Sequence, residues 1–399
     1  MKLLVINCGS STVKYQLLEM PSGDVLAKGN VERIGEEIGI LKHKTADGKK
    51  VEITDEIFPT HESGLKRVFE LLLDGTLQSL DEIKAVGHRV VHGGEKLTKT
   101  CRVDQGIIDE IESVYPLDPL HVPAHVIGLK VAQKLLPGVP NVTVFDTSFH
   151  QTMPEYAYLY AIPYKLYKED HIRRYGAHGT SHQFVASRLA KLLGRDIREL
   201  NIISCHLGSG SSITAIRGGE SVDTSMGLTP LEGLCMGTRC GDIDPAVLTY
   251  LGRTKGMDAD ALDNLINKQS GLLGLSELSN DCRVLEDGVA AGDPACKRAM
   301  DVFNYRIVKY IGAYAMVLGR VDAIIFTAGI GENSPYVRAE VCKKLGLIGV
   351  DVDLEANDCH GKERKISTDA SKVAVWIVPT NEELAIAQQT YDLVTKSCV

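Results

Sequence analysis

The chain has 399 residues, of which 44% are hydrophobic and 24% are charged, and its formal charge is −8. The length favours two domains, and the composition is typical of a globular protein. The negative charge argues against nucleic acid or an anionic membrane surface as the main partner, because both attract basic surfaces. No apolar run approaches the ~18 residues of a membrane span, so we expect neither nucleic acid nor a membrane among the partners.

The ten cysteines are scattered, without a C-x-x-C pair or a metal-ligand spacing. Near the N-terminus, Lys2 is followed by only four apolar residues before Asn7, which is too short for a signal-peptide core. These features predict reduced thiols and a cytoplasmic protein.

The first half is predicted to consist of short strands followed by helices. Residues 2–20 form two apolar strands around a Gly/Ser turn (CGSS), and residues 61–73 form a helix. A strand over 85–91 leads into HGGEK, a helix covers 119–135, and a buried strand over 141–145 places Asp146 at its carboxyl end. In an open α/β sheet the carboxyl ends of strands face the ligand crevice, so Asp146 is a candidate site residue.

The second half repeats this pattern. Residues 201–216 again form strand, glycine turn (LGSGS) and strand, and capping-box spacing from Thr180 predicts a helix that ends at Gly194. An amphipathic helix is expected over 299–318, and the strand 323–326 then enters a third glycine turn, TAGIGENS. Strand 373–378 and helix 384–396 complete the chain.

Glycine turns of this kind present backbone N–H groups that suit phosphate oxygens. Each turn alone is equally consistent with an ordinary hairpin, because Gly and Ser are common turn residues. No Walker A loop and no G-x-G-x-x-G fingerprint is present. The three turns together predict an α/β protein of two actin-like (ribonuclease H-like) domains with duplicated topology and a nucleotide cleft between them. The predicted domains are residues 1–150 and 151–383, with the C-terminal helix 384–399 packing back on the first.

From end to end, the chain resembles the acetate kinase family. The resemblance is carried by VINCGSSTVKYQL, AVGHRVVHGGEK, VFDTSFHQTMP, RRYGAHGTSH, CHLGSGSSITA, DTSMGLTPLEGLCMGTRCGDIDP, FTAGIGENS and PTNEELAIA. It implies reversible, direct in-line phosphoryl transfer from ATP to acetate, which gives acetyl phosphate and ADP. It also implies Mg²⁺ (or Mn²⁺) as cofactor and a homodimer. Small carboxylates and nucleotides are then the expected ligands.

The chemistry explains which residue types the family uses. A carboxylate acceptor is already ionised at pH 7 and needs no general base, whereas the charge on the transferring phosphoryl group needs cations. The resemblance implies that Arg89 holds the acceptor carboxylate, that Arg239 contacts the phosphoryl group and that His178 stabilises the transition state. A structural ion pair is the alternative for either arginine, although flanking glycines favour ligand access.

Two carboxylates and one amide are implied around the metal ion. The family commonly assigns the residue matching Asp146 an acid/base role; because the acceptor is ionised, we favour Asp146 as an organiser of Mg²⁺, with Glu382 and Asn7 as ligands. A cap or turn role is the alternative for Asp146. The implied nucleotide contacts are Lys14, His206, Leu207, Gly208, Ser209, Gly210, Asp281, Cys282, Arg283, Gly329, Ile330, Gly331, Glu332 and Asn333.

The chain departs from the family pattern at three positions: Ala177 replaces the usual Phe, Ser209 the usual Asn, and Val122 the usual Asn beside His121. His121 is a weaker candidate lining the same cleft. Ala177 predicts a larger acyl pocket, unless a neighbour fills the space, and so makes propionate or another short-chain acid an alternative substrate. The residues implied to line that pocket are Arg89, Val91, Leu120, Ala177 and Pro230.

Two other classes of protein share the predicted fold. A nucleotide-binding regulatory protein without catalysis is disfavoured, because Arg89, Arg239, His178, Asp146 and Glu382 are all present. An actin-like or Hsp70-like assembly ATPase is disfavoured further, because it has no use for paired arginines in its cleft.

Overall fold

The computed structural model describes residues 1–118 and 121–396. The chain forms two compact units, one of residues 1–148 together with the C-terminal segment from residue 381, the other of residues 149–380. Each unit contains one mixed β-sheet with helices. The predicted α/β fold class is therefore confirmed. No helix in the described ranges is long and apolar enough to cross a membrane.

The strands of the first unit are β1 (Lys2–Cys8), β2 (Thr12–Glu19), β3 (Asp24–Glu32), β4 (Gly39–Thr45), β5 (Lys50–Glu56), β6 (Ile83–Val90), β7 (Cys101–Arg102) and β8 (Asn141–Phe145). Those of the second are β9 (Asn201–Leu207), β10 (Ser211–Arg217), β11 (Glu220–Thr224), β12 (Ala323–Thr327), β13 (Arg364–Lys365) and β14 (Ala374–Ile377).

The helices of the first unit before the connection are α1 (His61–Leu73), α2 (Gln105–Ser113) and α3 (Val122–Leu135). The second unit contains α4 (Glu155–Tyr158), α5 (Lys165–Asp170), α6 (Gly179–Leu193), α7 (Ala246–Lys255), α8 (Ala259–Lys268), α9 (Gly271–Ser276), α10 (Cys282–Ala290), α11 (Pro294–Leu318), α12 (Ala328–Asn333), α13 (Pro335–Cys342) and α14 (Leu354–Asn357). The chain ends with α15 (Glu382–Lys396) in the first unit.

The two sheets share a topology. The first has strand order β5-β4-β3-β2-β1-β6-β8-β7, and the second has β11-β10-β9-β12-β14-β13. In each, two antiparallel hairpin pairings (β1 with β2 and β2 with β3; β9 with β10 and β10 with β11) lie beside two parallel pairings (β1 with β6 and β6 with β8; β9 with β12 and β12 with β14). The duplication that the sequence suggested at 2–20 and 201–216 thus extends across these pairings, whereas β4 and β5 of the first sheet have no counterpart among the described strands of the second.

The central strands are buried on both faces. On β1, Leu4 and Ile6 pack in the cluster that contains α1 and α3, whereas Leu3 and Val5 pack with Ile386 of α15 on the other side. In the second unit, α11 fills one face of the sheet and α6 the other. Sheets covered on both faces need nearly continuous apolar strands, which is why these segments are apolar throughout.

Two local predictions were wrong. Helix α6 begins at Gly179, and its cap residue is His178 in the left-handed conformation (φ 58°), so Thr180 lies in the first turn instead of capping it. The third glycine segment is a helix that follows β12 directly. Ala328, with φ 63°, reverses the chain in one residue, and its N–H donates to the Glu332 carboxylate at 2.8 Å. That single left-handed residue replaces the expected turn.

Arg338 on α13 is the largest completely buried side chain. Its guanidinium donates to the Oδ1 and carbonyl oxygen of Asn357 and to the carbonyl oxygens of Gly331 and Cys359, at 2.7–2.9 Å. Burial lowers its pKa, but the four acceptors satisfy most of its donors. Arg338 therefore ties the segment around residue 331 to that around residue 357.

Replacing Arg338 should test this link. Arg338→Met fills similar volume but leaves buried acceptors without donors, and we expect a loss of about 3 kcal/mol in the free energy of unfolding, measured in urea. Arg188→Met is the control, since Arg188 forms a half-exposed pair with Glu363 and should change stability by less than about 1 kcal/mol. Equal losses in the two variants would contradict the structural role of Arg338.

Candidate active site

In the first unit, the candidate site is built where two parallel strands end. Arg89 lies near the end of β6, and Asp146 directly follows β8, the neighbouring strand. The Arg89 Nη2 donates to Asp146 Oδ2 at 2.5 Å, and the Arg89 Nε lies 3.7 Å from Oε2 of Glu382, the first residue of α15. The guanidinium is therefore held beside two carboxylates.

These carboxylates stabilise the positive charge of Arg89. Burial alone would lower the pKa of Arg89, but the charges of Asp146 and Glu382 outweigh it and raise the pKa above its usual value. Asp146 is 1% exposed. Arg89 thus forms the ion pair that was the predicted alternative to ligand binding. One of its partners, Asp146, is also the candidate organiser of the metal ion.

The donor set of this region fits Mg²⁺ by its chemistry. Asp146 and Glu382 supply carboxylate oxygens, and Asn7, near the end of β1, supplies an amide oxygen. Mg²⁺ prefers oxygen ligands, takes one or two carboxylates and keeps several waters. Among the described residues, no group of three or more His, Cys, Asp or Glu side chains is arranged as a metal centre.

Histidines fix the backbone that follows Arg89. The N–H of Val91 donates to Nε2 of His125 at 3.2 Å. Burial, followed by the charge of Arg89, lowers the pKa of His125 to about 3, so its ring is neutral. His121 is held through Nδ1 by Asp118 at 2.7 Å, so its orientation does not depend on the amide that Val122 replaces. Of the other residues predicted to line the acyl pocket, Leu120 lies outside the described residues.

In the second unit, Arg239 and His178 converge on the turn between β9 and β10. A Cβ placed on Gly210 would lie 3.4 Å from Nη1 of Arg239 and 3.6 Å from the ring of His178. The N–H of Gly237 donates to the carbonyl oxygen of Ser209 at 3.0 Å, which joins this turn to the segment carrying Arg239. Position 210 therefore lies within contact distance of both the Arg239 guanidinium and the His178 ring.

Arg239 differs from Arg89 in its surroundings. Its Nη1 donates to the carbonyl oxygen of Pro230 at 2.9 Å and lies 3.8 Å from the sulfur of Met236. In the described part of the chain it forms no ion pair, and burial lowers its pKa. A largely buried guanidinium without a carboxylate is well suited to an anionic ligand.

His178 belongs to a buried chain of histidines and serines. Its Nδ1 is 2.9 Å from the hydroxyl of Ser212, the same hydroxyl is 2.8 Å from Nε2 of His182, and Nδ1 of His182 is 2.9 Å from the hydroxyl of Ser204. The ring of His178 also stacks on that of His206, with centroids 4.1 Å apart.

The Ser212 hydroxyl couples the protonation of His178 to that of His182. Ser212 has one hydroxyl proton, so it can donate to only one of the nitrogens of His178 and His182. Burial lowers the pKa of His182 well below its usual value, so this ring is neutral and carries one N–H. His150, whose pKa burial lowers to about 4, bonds to the carbonyl oxygen of Ala177 through Nε2 at 3.0 Å. The network fixes both the ring and the backbone of His178.

The predicted nucleotide segments come together in part. Thr327 pairs with His206 across β12 and β9, and Cβ positions on Gly208 and Gly237 lie 3.8 Å from Ala328 and 3.6 Å from Asn280. Segments 206–210, 237–239, 280–283 and 328–333 of the second unit are therefore neighbours. Lys14 lies in the first unit, opposite Asn7 on β2.

Several of the predicted side chains already have partners within the protein. The Glu332 carboxylate accepts the N–H of Thr380 at 3.0 Å as well as that of Ala328. Cys282 is buried and its thiol donates to Glu286. Asp281 caps α10 and pairs with the exposed guanidinium of Arg283. At Glu332 and Cys282, a nucleotide contact would therefore use the backbone.

Ala177 is buried, at 4% exposure, in a small cluster with Met226 and Met236. Both methionines are inaccessible to solvent. Methionine adapts its shape to irregular gaps, and Ala177 packs against these two side chains.

Sequence reasoning missed Ser212, Ser204, Met226 and Met236. His182 was visible only as one of several histidines near residue 178. A weak signal for Ser212 existed, because it directly follows the second glycine turn on β10, but nothing in the sequence shows which ring it faces.

Comparison with known proteins gives one family. A sequence profile of the acetokinase family matches residues 2–388. The chain is 51% identical over 397 residues to the acetate kinase of Pseudothermotoga lettingae, which covers 99% of this chain and 98% of that protein.

Solved structures agree with the sequence comparison. The Porphyromonas gingivalis acetate kinase superposes with a TM-score of 0.95 at 46% identity, over 98% of this chain and 99% of that one. A propionate kinase from Francisella tularensis superposes with a TM-score of 0.92 at 39% identity, over 98% and 99% of the two chains. The resemblance seen in the motifs is thus confirmed over the whole length, and the chain belongs to the acetokinase family.

Proposed function

We propose that this chain is an acetate kinase that transfers a phosphoryl group reversibly between ATP and acetate, giving acetyl phosphate and ADP. The observation that carries the proposal is Arg239, a largely buried guanidinium without a carboxylate partner, next to His178 and the turn at Gly210. Such a cation stabilises charge on a transferring phosphoryl group. His178 is placed by its network to add a second hydrogen bond to the same group.

Arg89 is proposed to hold the acceptor carboxylate. The ionised acceptor needs no deprotonation, and the Asp146 carboxylate is already bonded to Arg89. We therefore assign Asp146 to orienting Arg89 and organising the metal, not to acid/base chemistry. Asp146, Glu382 and Asn7 would hold Mg²⁺, or Mn²⁺ in its place. The bound ion would neutralise charge on the nucleotide phosphates.

The nucleotide is proposed to contact Lys14 and the glycine segments of the second unit. Backbone N–H groups of 206–210 and 329–333 would face phosphate oxygens, since both segments start from the carboxyl ends of parallel strands. Asp281 and Arg283 would lie at the adenosine end. The two compact units are proposed to be the two actin-like domains of the family.

Acetate is the proposed main acceptor, and propionate is the second candidate. The solved propionate kinase at 39% identity favours keeping this candidate. Met226 and Met236 pack against Ala177 and would limit the space for a longer acceptor, which favours acetate. Val91 and Pro230 are proposed to line the remainder of the pocket.

A cytoplasmic homodimer is the proposed state of the protein. Nine cysteines in the described part of the chain are free thiols, as suits a reducing compartment. On α11, large apolar side chains are exposed to solvent, Tyr305 at 57% and Met316 at 73%. Exposed apolar surface of this kind marks association sites.

The roles of the arginines test the proposed function. Arg239→Ala and Arg89→Ala should each lower kcat/KM for acetyl phosphate formation by about two to four orders of magnitude, because a preorganised cation is lost. Arg89→Lys and Arg239→Lys should recover little, since Lys lacks the planar fork. Arg188→Ala is the matched control and should leave kcat/KM unchanged. A folded Arg239→Ala variant with near-wild-type turnover would rule out the assignment.

Ser212 tests the positioning of His178. Ser212→Ala should lower kcat about tenfold or more with a small change in KM, a typical effect of removing the outer hydrogen-bond partner of a functional histidine. Its pH dependence of kcat should also shift, whereas Ser212→Thr, which keeps the hydroxyl, should retain most activity. Ser225→Ala is the control, because Ser225 is equally buried but bonds to the N–H of Ile213. An unshifted pH profile in Ser212→Ala would show that Ser212 acts only in packing.

Met226 tests acceptor selectivity. The wild-type enzyme should prefer acetate to propionate and butyrate, and Met226→Ala should raise the propionate-to-acetate ratio of kcat/KM about fourfold, the value of one buried methylene. Met300→Ala, which alters a buried methionine of α11 in the core of the second unit, should reduce stability without changing the ratio. If Met226→Ala leaves the ratio at the wild-type value, other residues set the acyl pocket.

A further inference from the structure

A row of three lysines crosses the sheet of the first unit. In the register of β3, β4 and β5, Lys28 lies opposite Lys44, and Lys44 lies opposite Lys50. All three side chains are exposed, and within the described ranges none of them forms an ion pair. Adjacent strands are ~4.8 Å apart, so the three stems occupy a row about 10 Å long. We call these residues the lysine row.

This arrangement is unfavourable for the unliganded protein. Like charges directly opposite each other on neighbouring strands destabilise a sheet, and the chain as a whole carries a charge of −8. Lys42, which lies diagonally from the row, is by contrast paired with Glu52 at 3.5 Å.

A cavity of about 390 Å³ lies against the lysine row. It is on the side of the sheet where α15 packs, because Leu18 of β2, which clusters with Ile386, faces the same way as Gln16. Gln16 lies opposite Lys28 and Asn30 lies opposite Lys14 in the register. The other walls of the cavity come from Lys14, Tyr15, Gly29, Lys42, His43, Val51, Glu52 and Glu383.

The charge of the cavity is strongly positive. Five lysines and two glutamates line it, which leaves a net charge of +3. His43 adds no charge at pH 7, because burial and the charge of Lys49 lower its pKa. The cavity therefore offers several cations to a single small anionic ligand.

We propose that the lysine row binds a compact polyphosphate of two or three phosphoryl groups. Lysine binds phosphoryl oxygens as a point charge, whereas planar carboxylates are better matched by the arginine fork, and no arginine lines this cavity. The lysine row contains none of the proposed catalytic residues, and the cavity beside it shares Lys14 with the proposed nucleotide contacts. The polyphosphate can be free or can be the phosphate chain of a nucleotide, since both present the same groups.

Calorimetric titration with inorganic tripolyphosphate tests the site. The variant Lys28→Gln/Lys44→Gln/Lys50→Gln should lose at least tenfold in affinity at this site, relative to wild type. The control Lys99→Gln/Lys255→Gln/Lys362→Gln removes the same total charge from exposed positions elsewhere, so long-range attraction is matched. Its affinity should equal that of the wild type. Equal affinity in the two triple variants would overturn the proposal.

Thermal unfolding gives an independent readout. Removing opposed like charges should leave the lysine-row variant at least as stable as the wild type without ligand. Tripolyphosphate should raise the melting temperature of the wild type and of the control by more than that of the lysine-row variant. An identical rise in all three would place the binding at the proposed nucleotide site alone and contradict a site at the lysine row.

Titration with ATP identifies the source of the phosphate groups. If two ATP molecules bind per wild-type chain and one per chain of the lysine-row variant, the ligand of the lysine row is the phosphate chain of a nucleotide. If one ATP binds to each protein and the variant loses tripolyphosphate binding, the ligand is free polyphosphate. Acetyl phosphate formation is measured in parallel. Normal turnover with no tripolyphosphate binding at the lysine row would contradict this proposal and would leave the proposed function unaffected.

Discussion

Parallel pairing of β6 with β8 fixes the distance between Arg89 and Asp146, and the arrangement of the first unit follows from it. Because both strands run in the same direction, their carboxyl ends meet at one edge of the sheet. The apolar residues along these strands are buried on both faces and hold the register. A one-residue slip would move the Arg89 side chain to the opposite face. The hydrophobic core thus specifies the electrostatics of the site.

The second unit reaches a different electrostatic result with the same topology. There, the parallel pair β9 and β12 places a turn and a short helix at the sheet edge. Arg239 lies in a long connection, and among the described residues its close hydrogen-bond acceptor is the carbonyl oxygen of Pro230. One guanidinium is compensated by carboxylates and the other is not. An uncompensated buried cation destabilises the free protein, and an anionic phosphoryl group bound beside it would recover that energy.

Much of the fold could be predicted from local patterns. The third glycine turn was mispredicted for a local reason, whereas the hydrogen bonds of the candidate site depend on residues far apart in the chain. Helix α1 and strand β8 agree with the predicted 61–73 and 141–145, because their apolar spacing and caps are encoded within each segment. The prediction of a third glycine turn was wrong because a single left-handed residue, Ala328, connects β12 directly to α12. The hydrogen bond between His178 and Ser212 joins residues 34 positions apart, and only the pairing of strands brings such residues together.

Ala177 shows why a substitution within a motif is a poor guide by itself. The motif suggests a lost phenyl ring and a larger pocket, but the volume around residue 177 belongs to a cluster whose other members, Met226 and Met236, lie about 50 to 60 positions later. Protein interiors fill such space because a void forfeits dispersion contacts. Met236 also contacts Arg239 through its sulfur. Met236 thus packs with Ala177 and also contacts Arg239, so a change at Met236 would alter the surroundings of both residues.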